Sequence, residues 1–468
     1  MAKILLIRIP YEEIYSSFHK KGSKIRKFPP LGLLYLASSL EREEHNVILL
    51  DLEIEQIGQN DIEEKIKNIK PDIVGTGATT PEIRNAEKLF AITKKVNPNI
   101  ITVIGGPHAT ILPDDAVLDK TTDIVVKGEG EYSIVEIANS IDGKTELDQI
   151  SGILFRQNGR IIGNPDRPRV ENLDELPFPA RHLINNKNYV WPVEGKGLIP
   201  ITTILTSRGC PFDCIFCNRI LGKKVRFRTP NLVVDEIEEV YNNYGIKYYI
   251  MQDEIFSLRQ ERAIEICDEI INRRLDISWF SMVRADLVSE RLLQKMKAAG
   301  CTRITMGVES GNQEILDIIK KGTNLNQYIE AFHWAKKVGL ETRGSFILGH
   351  PYETHETIKD TINFAKTLDI DEAYFNIMTP YPGTEVYKMA IREEGIKLLE
   401  DDWAKFKRWG NAVIQVGDLS KDDLIKYQRK AMRGFYLRPK QIWHQLRRIG
   451  LYNGLKMGLR YISFILKK

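Results

Sequence analysis

Short apolar runs rich in β-branched residues alternate with amphipathic segments over the first 140 residues of the chain. Strands that are buried on both faces of a parallel sheet have this nearly continuous apolar pattern. The alternation predicts five βα units in a doubly wound, Rossmann-like α/β sheet, whose ligands would bind at the carboxyl ends of the strands. The predicted strands are KILLIRI, NVILLDL, DIVGTGAT, ITVIGGP and DIVVKGE.

A second alternating series begins at Ile201, after a hairpin-like segment that turns at Asn158-Gly159 and a proline-rich stretch. Asn-Gly between apolar runs predicts a hairpin, and clustered prolines indicate a connection between domains. Six βα units with right-handed crossovers would form an open, partial (β/α)6 barrel of the TIM type, with active-site residues just after the strand ends. Its strands are predicted at ITTILTS, KYYIMQDE, SWFSMVRA, RITMGVES, TRGSFILG and EAYFNIM.

The same patterns set the expected domain bounds. We expect a Rossmann-like domain over 1–145, a hairpin and linker over 146–195, a barrel over 196–400 and a helical region over 401–468. A chain of 468 residues with 43% apolar and 28% charged residues is long enough for two or three folded domains. The chain contains no uncharged apolar run of membrane-spanning length and no signal-peptide layout, so we expect a cytoplasmic protein.

Three of the five cysteines lie within eight residues, at Cys210, Cys214 and Cys217, directly after the first predicted barrel strand. Such clustered thiols are typical of a metal or redox site in a reducing compartment. Three thiolates on one tight loop leave one iron of a [4Fe–4S] cubane open for a substrate's amino and carboxylate groups. A zinc site is the alternative, but no further Cys or His follows at the usual spacing. Cys267 and Cys301 are interpreted as small buried hydrophobic residues.

The CxxxCxxC spacing, with the aromatic Phe216 before the last cysteine, resembles the signature of radical S-adenosylmethionine (SAM) enzymes. The resemblance implies a [4Fe–4S] cluster and SAM as cofactors. It also implies that residues at successive strand ends contact SAM, although a charged residue at a strand end can equally form a solvated rim or a salt bridge. The implied SAM residues are Phe216, Asp253, Glu254, Arg284, Glu309, Ser310, Arg343 and Ile347.

Small residues end the strands of the first domain, in the segments GGPHAT and GEGE. Glycines let a bulky ligand approach the backbone, although ordinary βα turns are also rich in glycine. Together with PPLGLLYLA and PYPGT, these segments resemble the cobalamin-binding subfamily of radical SAM enzymes, which includes methylases and the anaerobic porphyrin cyclase. The resemblance implies cobalamin contacts from Leu31, Gly32, Thr76, Thr79, Gly105, Gly106, Pro107, His108, Ala109, Gly128, Glu129, Gly130 and Glu131.

One motif departs from the classical cobalamin domain. The DxHxxG sequence, whose His binds cobalt from below, is replaced here by Ser17-Phe-His19-Lys-Lys-Gly22. Without the carboxylate the imidazole lacks its usual hydrogen-bond partner. We therefore interpret His19 as a loop histidine, and the resemblance implies a cobalt whose lower face has no His. His108 is expected at the corrin periphery or the nucleotide tail.

The last 45 residues, from Leu424, contain twelve Lys and Arg and no Asp or Glu. A basic amphipathic helix with aromatic residues can lie on an anionic membrane, but it can also pack on the barrel with a solvated basic face. Membrane contact would favour a lipid, isoprenoid or tetrapyrrole substrate. The charge is confined to one end and no RNA-binding module is visible, so we expect no nucleic-acid partner.

The resemblance implies an enzyme that uses methylcobalamin to methylate an unactivated carbon through a 5′-deoxyadenosyl radical, with a ferredoxin or flavodoxin as electron donor. Cyclisation, oxidation or rearrangement by the same subfamily is the first alternative. A second is an enzyme of the same cluster chemistry whose first domain is structural or binds another ligand, and a third is a non-enzymatic cobalamin or iron–sulfur sensor. A methylthiotransferase is disfavoured because it needs three more cysteines in its first domain, and residues 1–200 contain none.

Overall fold

The computed structural model describes residues 1–10, 27–193 and 196–443. His19 and the amphipathic residues from Leu446 onward lie outside these ranges. The strands are β1 Lys3–Arg8, β2 Asn46–Asp51, β3 Ile73–Gly77, β4 Ile101–Gly105, β5 Ile124–Val126, β6 Ile153–Gln157, β7 Arg160–Gly163, β8 Val190–Val193, β9 Gly197–Ile204, β10 Ser207–Arg208, β11 Arg226–Phe227, β12 Tyr248–Met251, β13 Ser278–Val283, β14 Cys301–Glu309, β15 Glu341–Leu348, β16 Glu372–Ile377, β17 Lys397–Leu398 and β18 Ile414–Gln415.

The α-helices lie mostly between consecutive parallel strands. They are α1 Leu31–Arg42, α2 Leu52–Glu55, α3 Gln59–Ile69, α4 Ile83–Val96, α5 Gly106–Ile111, α6 Pro113–Leu118, α7 Glu131–Ile141, α8 Pro230–Tyr244, α9 Gln260–Asn272, α10 Glu290–Ala298, α11 Gln313–Ile318, α12 Leu325–Lys337, α13 His355–Thr367, α14 Glu385–Arg392 and α15 Lys421–Tyr436. Among the described residues, no helix is long and apolar enough to cross a membrane.

The first compact unit comprises Met1–Tyr189, Asn218–Arg228 and Asp402–Lys405. Its sheet has the strand order β2-β1-β3-β4-β5-β6-β7, in which β1 to β5 are parallel. Alternate residues of β1 enter two separate apolar cores, Leu5 and Ile7 in one and Ile4 and Leu6 in the other. A strand buried on both faces needs this continuous apolar run, and the predicted doubly wound sheet is confirmed.

The hairpin at Asn158-Gly159 has a different place from the one expected. Asn158 and Gly159 both have left-handed φ angles, 52° and 75°, as a type I′ turn requires. Strand β6 pairs antiparallel with β5, so the hairpin extends the first sheet rather than standing in a linker. The sequence could not indicate this, because an antiparallel strand added at a sheet edge has the same local pattern as a free hairpin.

The second unit comprises Val190–Cys217, Thr229–Asp401 and the described chain from Phe406. Its sheet has the order β16-β15-β14-β13-β12-β9-β8, with six parallel strands and the antiparallel β8 at one edge. The terminal strands of this sheet do not pair with each other, so the sheet forms the open half-barrel that the sequence predicted. The residues Ile304, Met306 and Val308 of β14 are fully buried in the unit. The intervening positions of β14 face the barrel interior.

The C-terminal region is less helical than expected from residue 401. Asp402–Lys405 belongs to the first unit, and β17 pairs with β18. The helix begins only at Lys421, where the Ser420 side chain and Asp423 form a capping box.

Candidate functional site

The cysteine loop leaves the barrel directly after β9 and is held by main-chain hydrogen bonds on both sides. The Ile215 amide donates to the Ile319 carbonyl at 3.2 Å, and the Ile215 carbonyl accepts from the Val386 amide at 3.0 Å. Cys217 is exposed, whereas Cys210 and Cys214 are half-buried. Within the described ranges, no three His, Cys, Asp or Glu side chains converge as ligands of a single ion. The loop is therefore held in place, and its three thiols are exposed to different degrees.

Two cations lie behind Cys214. Burial raises the pKa of the Cys214 thiol, while Lys321 and Arg284 oppose that rise. Burial likewise raises the pKa of Cys210, which has no comparable cation near it. Iron-bound thiolates carry negative charge, so this donor set and its neighbouring cations fit an iron–sulfur cluster.

Arg284 supports the cysteine loop from β13. Its guanidinium carbon lies 3.7 Å from the centroid of the Phe212 ring, between two cysteines of the motif. It also donates to the Lys321 carbonyl and pairs with Asp286 at 2.7 Å. The predicted Arg284 therefore lies beside the cluster loop, with its guanidinium engaged by the protein.

Glu309 ends β14 at a bulge and has a left-handed φ of 69°. Its carboxylate accepts from the Lys321 ammonium at 2.9 Å. Gly307 makes this geometry feasible, because a Cβ there would lie 2.1 Å from Glu309 Oε1. Glu309 and Lys321 are 7% and 8% exposed, so an ion pair is buried beside the cysteine loop.

Asp253 has a different task from the SAM contact expected of it. It is 2% exposed, and its carboxylate accepts from the Thr206 amide at 2.7 Å, the Ser207 amide at 3.1 Å and the Thr206 hydroxyl at 2.5 Å. Burial raises its pKa despite these hydrogen bonds. Asp253 is therefore a positioning residue for the chain that leads into Cys210. Its neighbour Glu254 is half-buried after the same strand.

Two further predicted SAM residues point elsewhere. The Ser310 hydroxyl lies 3.1 Å from the Thr361 hydroxyl of α13 and is fully buried. Arg343 lies five residues before the end of β15, which places it about 17 Å from the strand end at 3.3 Å per residue. It donates to Glu372 at 2.6 Å near the start of β16, so it belongs to the floor of the barrel. Both side chains therefore have partners within the barrel, and their contact with SAM stays a prediction.

Phe216 and Ile347 stay in reach of the barrel mouth. The Phe216 ring lies 6.0 Å from the imidazole of His350, which follows β15. Ile347 is half-buried near the carboxyl end of β15, and Met282 of the adjoining interior surface is 51% exposed. An accessible apolar surface inside the barrel fits an organic ligand such as SAM.

Sequence reasoning missed His350 and Glu353. Burial lowers the pKa of His350 to about 3, so its imidazole is neutral at physiological pH. Glu353 accepts from the Gly349 and His350 amides, and burial raises its pKa to about 8. The sequence signal that could have indicated them is the turn Gly349-His350-Pro351 directly after a barrel strand. The buried carboxylate of Glu353 holds this turn.

In the first unit, the strand ends leave space where a bulky ligand would need it. A Cβ on Gly32 or Gly128 would meet nothing within 4 Å, and one on Gly105 would meet atoms only at 3.9 Å. Leu31 is half-buried beside this space, and Pro107 is exposed at the start of α5. The open glycines fit a corrin ring or its nucleotide tail against the backbone.

Two of the glycines expected at cobalamin have internal reasons to be glycine. Gly106 has a φ of 88°, and its Cβ would lie 3.1 Å from the Ala78 amide. A Cβ on Gly130 would lie 3.1 Å from the Leu36 side chain. Ala109 is fully buried.

The polar residues expected to touch cobalamin are occupied within the unit. Thr76 donates to the Ile7 carbonyl at 2.7 Å, and Thr79 donates to Glu82 at 2.5 Å in a helix cap. His108 is fully buried, and its Nε2 lies 3.0 Å from Asp115, so its expected corrin contact stays a prediction. Glu131 is buried at the start of α7.

Glu129 is also turned into the protein. Its carboxylate accepts from Arg226 at 2.7 Å and from the Val170 amide at 2.9 Å. The carboxylate of Glu129 therefore has a structural task here, and its expected cobalamin contact stays a prediction. What remains of the expected set near open space is Leu31, Gly32, Gly105, Pro107 and Gly128.

Known protein families match both the first unit and the barrel of this chain. Residues 204–365 match the model of the radical SAM superfamily, and residues 26–138 match that of the B12 binding domain. An uncharacterised methyltransferase of Pyrococcus horikoshii is 40% identical over 415 residues, 88% of each chain. An anaerobic magnesium-protoporphyrin IX monomethyl ester cyclase of Rubrivivax gelatinosus is 30% identical over 91% of this chain and 77% of its own.

A solved structure shares the fold over almost the whole chain. The radical SAM methyltransferase TsrM of Kitasatospora setae, solved with cobalamin and a [4Fe–4S] cluster, matches with a TM-score of 0.73 and 18% identity. The match covers 94% of this chain and 90% of TsrM. At this identity the comparison shows the fold, in which the two kinds of unit occur in one chain.

Proposed function

Because the chain belongs to the cobalamin-binding family of radical SAM enzymes, we propose that it transfers a methyl group to a carbon of a small organic substrate. The observation that carries the proposal is a three-cysteine loop on which Arg284 stacks, in a chain 40% identical over 88% of its length to an uncharacterised methyltransferase. When bound, the cluster would supply the electron that cleaves SAM, and cobalamin would carry the methyl group.

The protein's own residues have defined tasks in this proposal. Cys210, Cys214 and Cys217 would hold the cluster on the loop that Asp253 and Arg284 position. Phe216 and Ile347 would bound the SAM site at the barrel mouth. Gly32, Gly105 and Gly128 would leave room for cobalamin at the strand ends of the first unit.

Anaerobic reconstitution with iron, sulfide, SAM and a low-potential reductant tests the cluster. The wild-type chain should bind iron and release 5′-deoxyadenosine, and Cys214→Ala should abolish both. Cys267→Ala is the matched control, because Cys267 is a buried helix residue outside the motif and should leave iron content unchanged. Wild-type protein that binds no iron would overturn the proposal.

Cobalamin retention tests the methyl-transfer half separately. A corrin absorbance that stays with the protein through gel filtration supports it, and complete loss of the corrin removes methylcobalamin from the proposal. Substrate products distinguish methyl transfer from the second candidate, oxidative cyclisation, which the 30% identity to a cyclase over 91% of the chain favours. Methyl transfer adds one carbon to the substrate, whereas cyclisation removes hydrogen.

The substrate proposed is a lipophilic ring system. Relatives whose names state a substrate act on a magnesium-protoporphyrin ester, a bacteriochlorophyllide and a hopanoid, although another acts on a cytidylyl phosphonate. The basic amphipathic sequence at the chain end would suit an enzyme that collects such a substrate at an anionic membrane. Flotation with anionic liposomes, compared between the full chain and a deletion of residues 444–468, tests the contact. Equal flotation of the two proteins would contradict it.

The electron donor proposed is a ferredoxin or flavodoxin. A donor of this class delivers one electron at low potential, as SAM cleavage requires. Each should replace the chemical reductant in the 5′-deoxyadenosine assay, and failure of both classes would point to another donor.

A further inference from the structure

Lys321 is buried in the loop between α11 and α12 and faces the cysteine loop. The two loops adjoin through the hydrogen bond from the Ile215 amide to the Ile319 carbonyl at 3.2 Å. Arg284 fastens them again, because its guanidinium stacks on Phe212 and donates to the Lys321 carbonyl. The position of Lys321 relative to the cysteine loop is therefore fixed by one main-chain hydrogen bond and by the Arg284 side chain.

The buried charge of Lys321 interacts strongly with other charges near it. Lys321 is 8% exposed, so little water screens it, and salt screens buried charges weakly. The same residue's carbonyl accepts from Arg284, which stacks on Phe212 of the cysteine loop, so the buried ammonium belongs to a segment that adjoins the thiols.

The carboxylate of Glu309 lies beside the ammonium of Lys321 and partly offsets its charge. Glu309 accepts from the ammonium at 2.9 Å, and the left-handed φ of Glu309 and the absent side chain of Gly307 make that contact sterically feasible. A strained backbone position is retained when the surrounding structure requires it, and such positions concentrate at functional sites. The pair thus places a buried cation and its counter-ion beside the cysteine loop.

We propose that Lys321 sets the reduction potential of the cluster held by Cys210, Cys214 and Cys217, and that Glu309 opposes it. Reduction adds one electron from a low-potential donor to the cluster and so adds one negative charge beside Lys321, while the donor loses that electron. A fixed cation stabilises the more negative, reduced state and raises the potential. This inference rests on the proposed function, because it requires the cluster.

The test is an EPR-monitored redox titration of the reconstituted full-length protein without SAM, with titanium(III) citrate as the one-electron reductant. Lys321→Met should lower the ratio of reduced to oxidised cluster at a given potential roughly tenfold, about 59 mV for one electron. Glu309→Gln should shift the ratio in the opposite direction. Lys321→Arg, which keeps the charge, should stay within about threefold of the wild type.

Lys320→Met is the matched control, because Lys320 is the adjacent residue and is exposed. It should leave the potential unchanged, since solvent screens its charge. Iron and sulfide content is measured for every variant, and Glu309→Gln still decides the sign if Lys321→Met loads poorly.

The inference fails if Lys321→Met loads its cluster with an unchanged potential, or if both substitutions shift the potential in the same direction. Those results leave the proposed function standing. A wild-type chain that binds no cluster overturns the proposed function and this inference together.

Discussion

Glu129 accepts a hydrogen bond from Arg226 at 2.7 Å, and the two side chains are 5% and 2% exposed although 97 residues separate them in sequence. Arg226 also donates to the carbonyls of Val170 and Leu221. Glu129 is the first acid of the GEGE segment. Its hydrogen bond holds Arg226, which follows the cysteine loop in sequence, within the first unit. Glycine-rich loops that resemble a ligand site can thus hold acids with a purely structural task.

Replacing Glu129 should destabilise the protein, because it leaves a buried guanidinium without its counter-ion. Glu129→Ala is expected to lower the free energy of unfolding by about 3–5 kcal/mol, and Glu129→Gln by less because its carbonyl still accepts a hydrogen bond. Urea unfolding measures the change. Glu171→Ala, which removes an exposed partner of Lys224, is the control and should cost under about 1 kcal/mol. Equal costs for the two alanine variants would contradict the assignment.

Asp253→Asn should loosen the start of the cysteine loop. The Thr206 and Ser207 amides share one carboxylate oxygen, which Asn keeps, but the Asn nitrogen cannot accept from the Thr206 hydroxyl, so that hydrogen bond is lost at a cost of about 1–3 kcal/mol. We expect a lower unfolding temperature and reduced iron retention after reconstitution. Asp276→Asn, at an 84% exposed side chain, should change neither. Unchanged stability of Asp253→Asn would show that its carboxylate does not hold the loop.

The strands could be predicted from the sequence because a strand buried on both faces has an unmistakable apolar run. Predicted KILLIRI and observed β1 Lys3–Arg8 differ by one residue, and all six barrel strands were located, with ends that differ from the observed ones by up to four residues. The cysteine loop was located by spacing alone. Local sequence carries both kinds of information.

The direction of polar side chains at the strand ends could not be predicted. Asp253 and Ser310 lie at the correct ends of their strands, but their partners, Thr206 and Thr361, are 47 and 51 residues away in sequence. Arg343 was expected at SAM although it lies near the start of the predicted strand TRGSFILG, and its partner Glu372 lies 29 residues further along the chain. A strand two residues shorter or longer changes which side chain reaches the barrel mouth, and one residue reverses its face.

Arg343→Met tests whether Arg343 contacts SAM or stabilises the floor of the barrel. Removing the cation leaves Glu372 buried without this partner, so the free energy of unfolding should fall by about 3–5 kcal/mol. SAM affinity, measured by equilibrium dialysis of the reconstituted protein, should stay within about twofold of the wild type. The double variant Arg343→Met, Glu372→Gln should recover part of the stability, because a neutral amide then replaces the buried carboxylate. A large loss of SAM affinity with unchanged stability would restore the original assignment.

Gly32 should separate cobalamin binding from folding. Gly32 lies in the first turn of α1 with open space around its Cβ position, so Gly32→Ala should stabilise the protein by about 0.5–1 kcal/mol. Gly32→Phe should fold but retain less cobalamin through gel filtration, because the ring fills the space. Gly106→Ala is the contrast, since its left-handed φ and close contact to Ala78 predict lower stability instead. Full cobalamin retention by Gly32→Phe would exclude the space beside α1 as part of the site.

The ionisation of Glu353 should make the stability of the protein depend on pH. Its pKa is about 8 in the folded protein because of burial, against an ordinary value of 4.5 in the unfolded chain. Between these two values the folded state binds more protons than the unfolded state, so this group lowers stability as the pH rises. Glu353→Gln keeps an acceptor for the Gly349 and His350 amides and cannot ionise. Its stability relative to the wild type should therefore increase between about pH 6 and pH 8, by on the order of 2 kcal/mol. Urea unfolding of both proteins in matched buffers measures the difference, with Glu356→Gln as a control at a neighbouring exposed acid. A difference that stays constant with pH would mean that Glu353 is ionised in the folded protein.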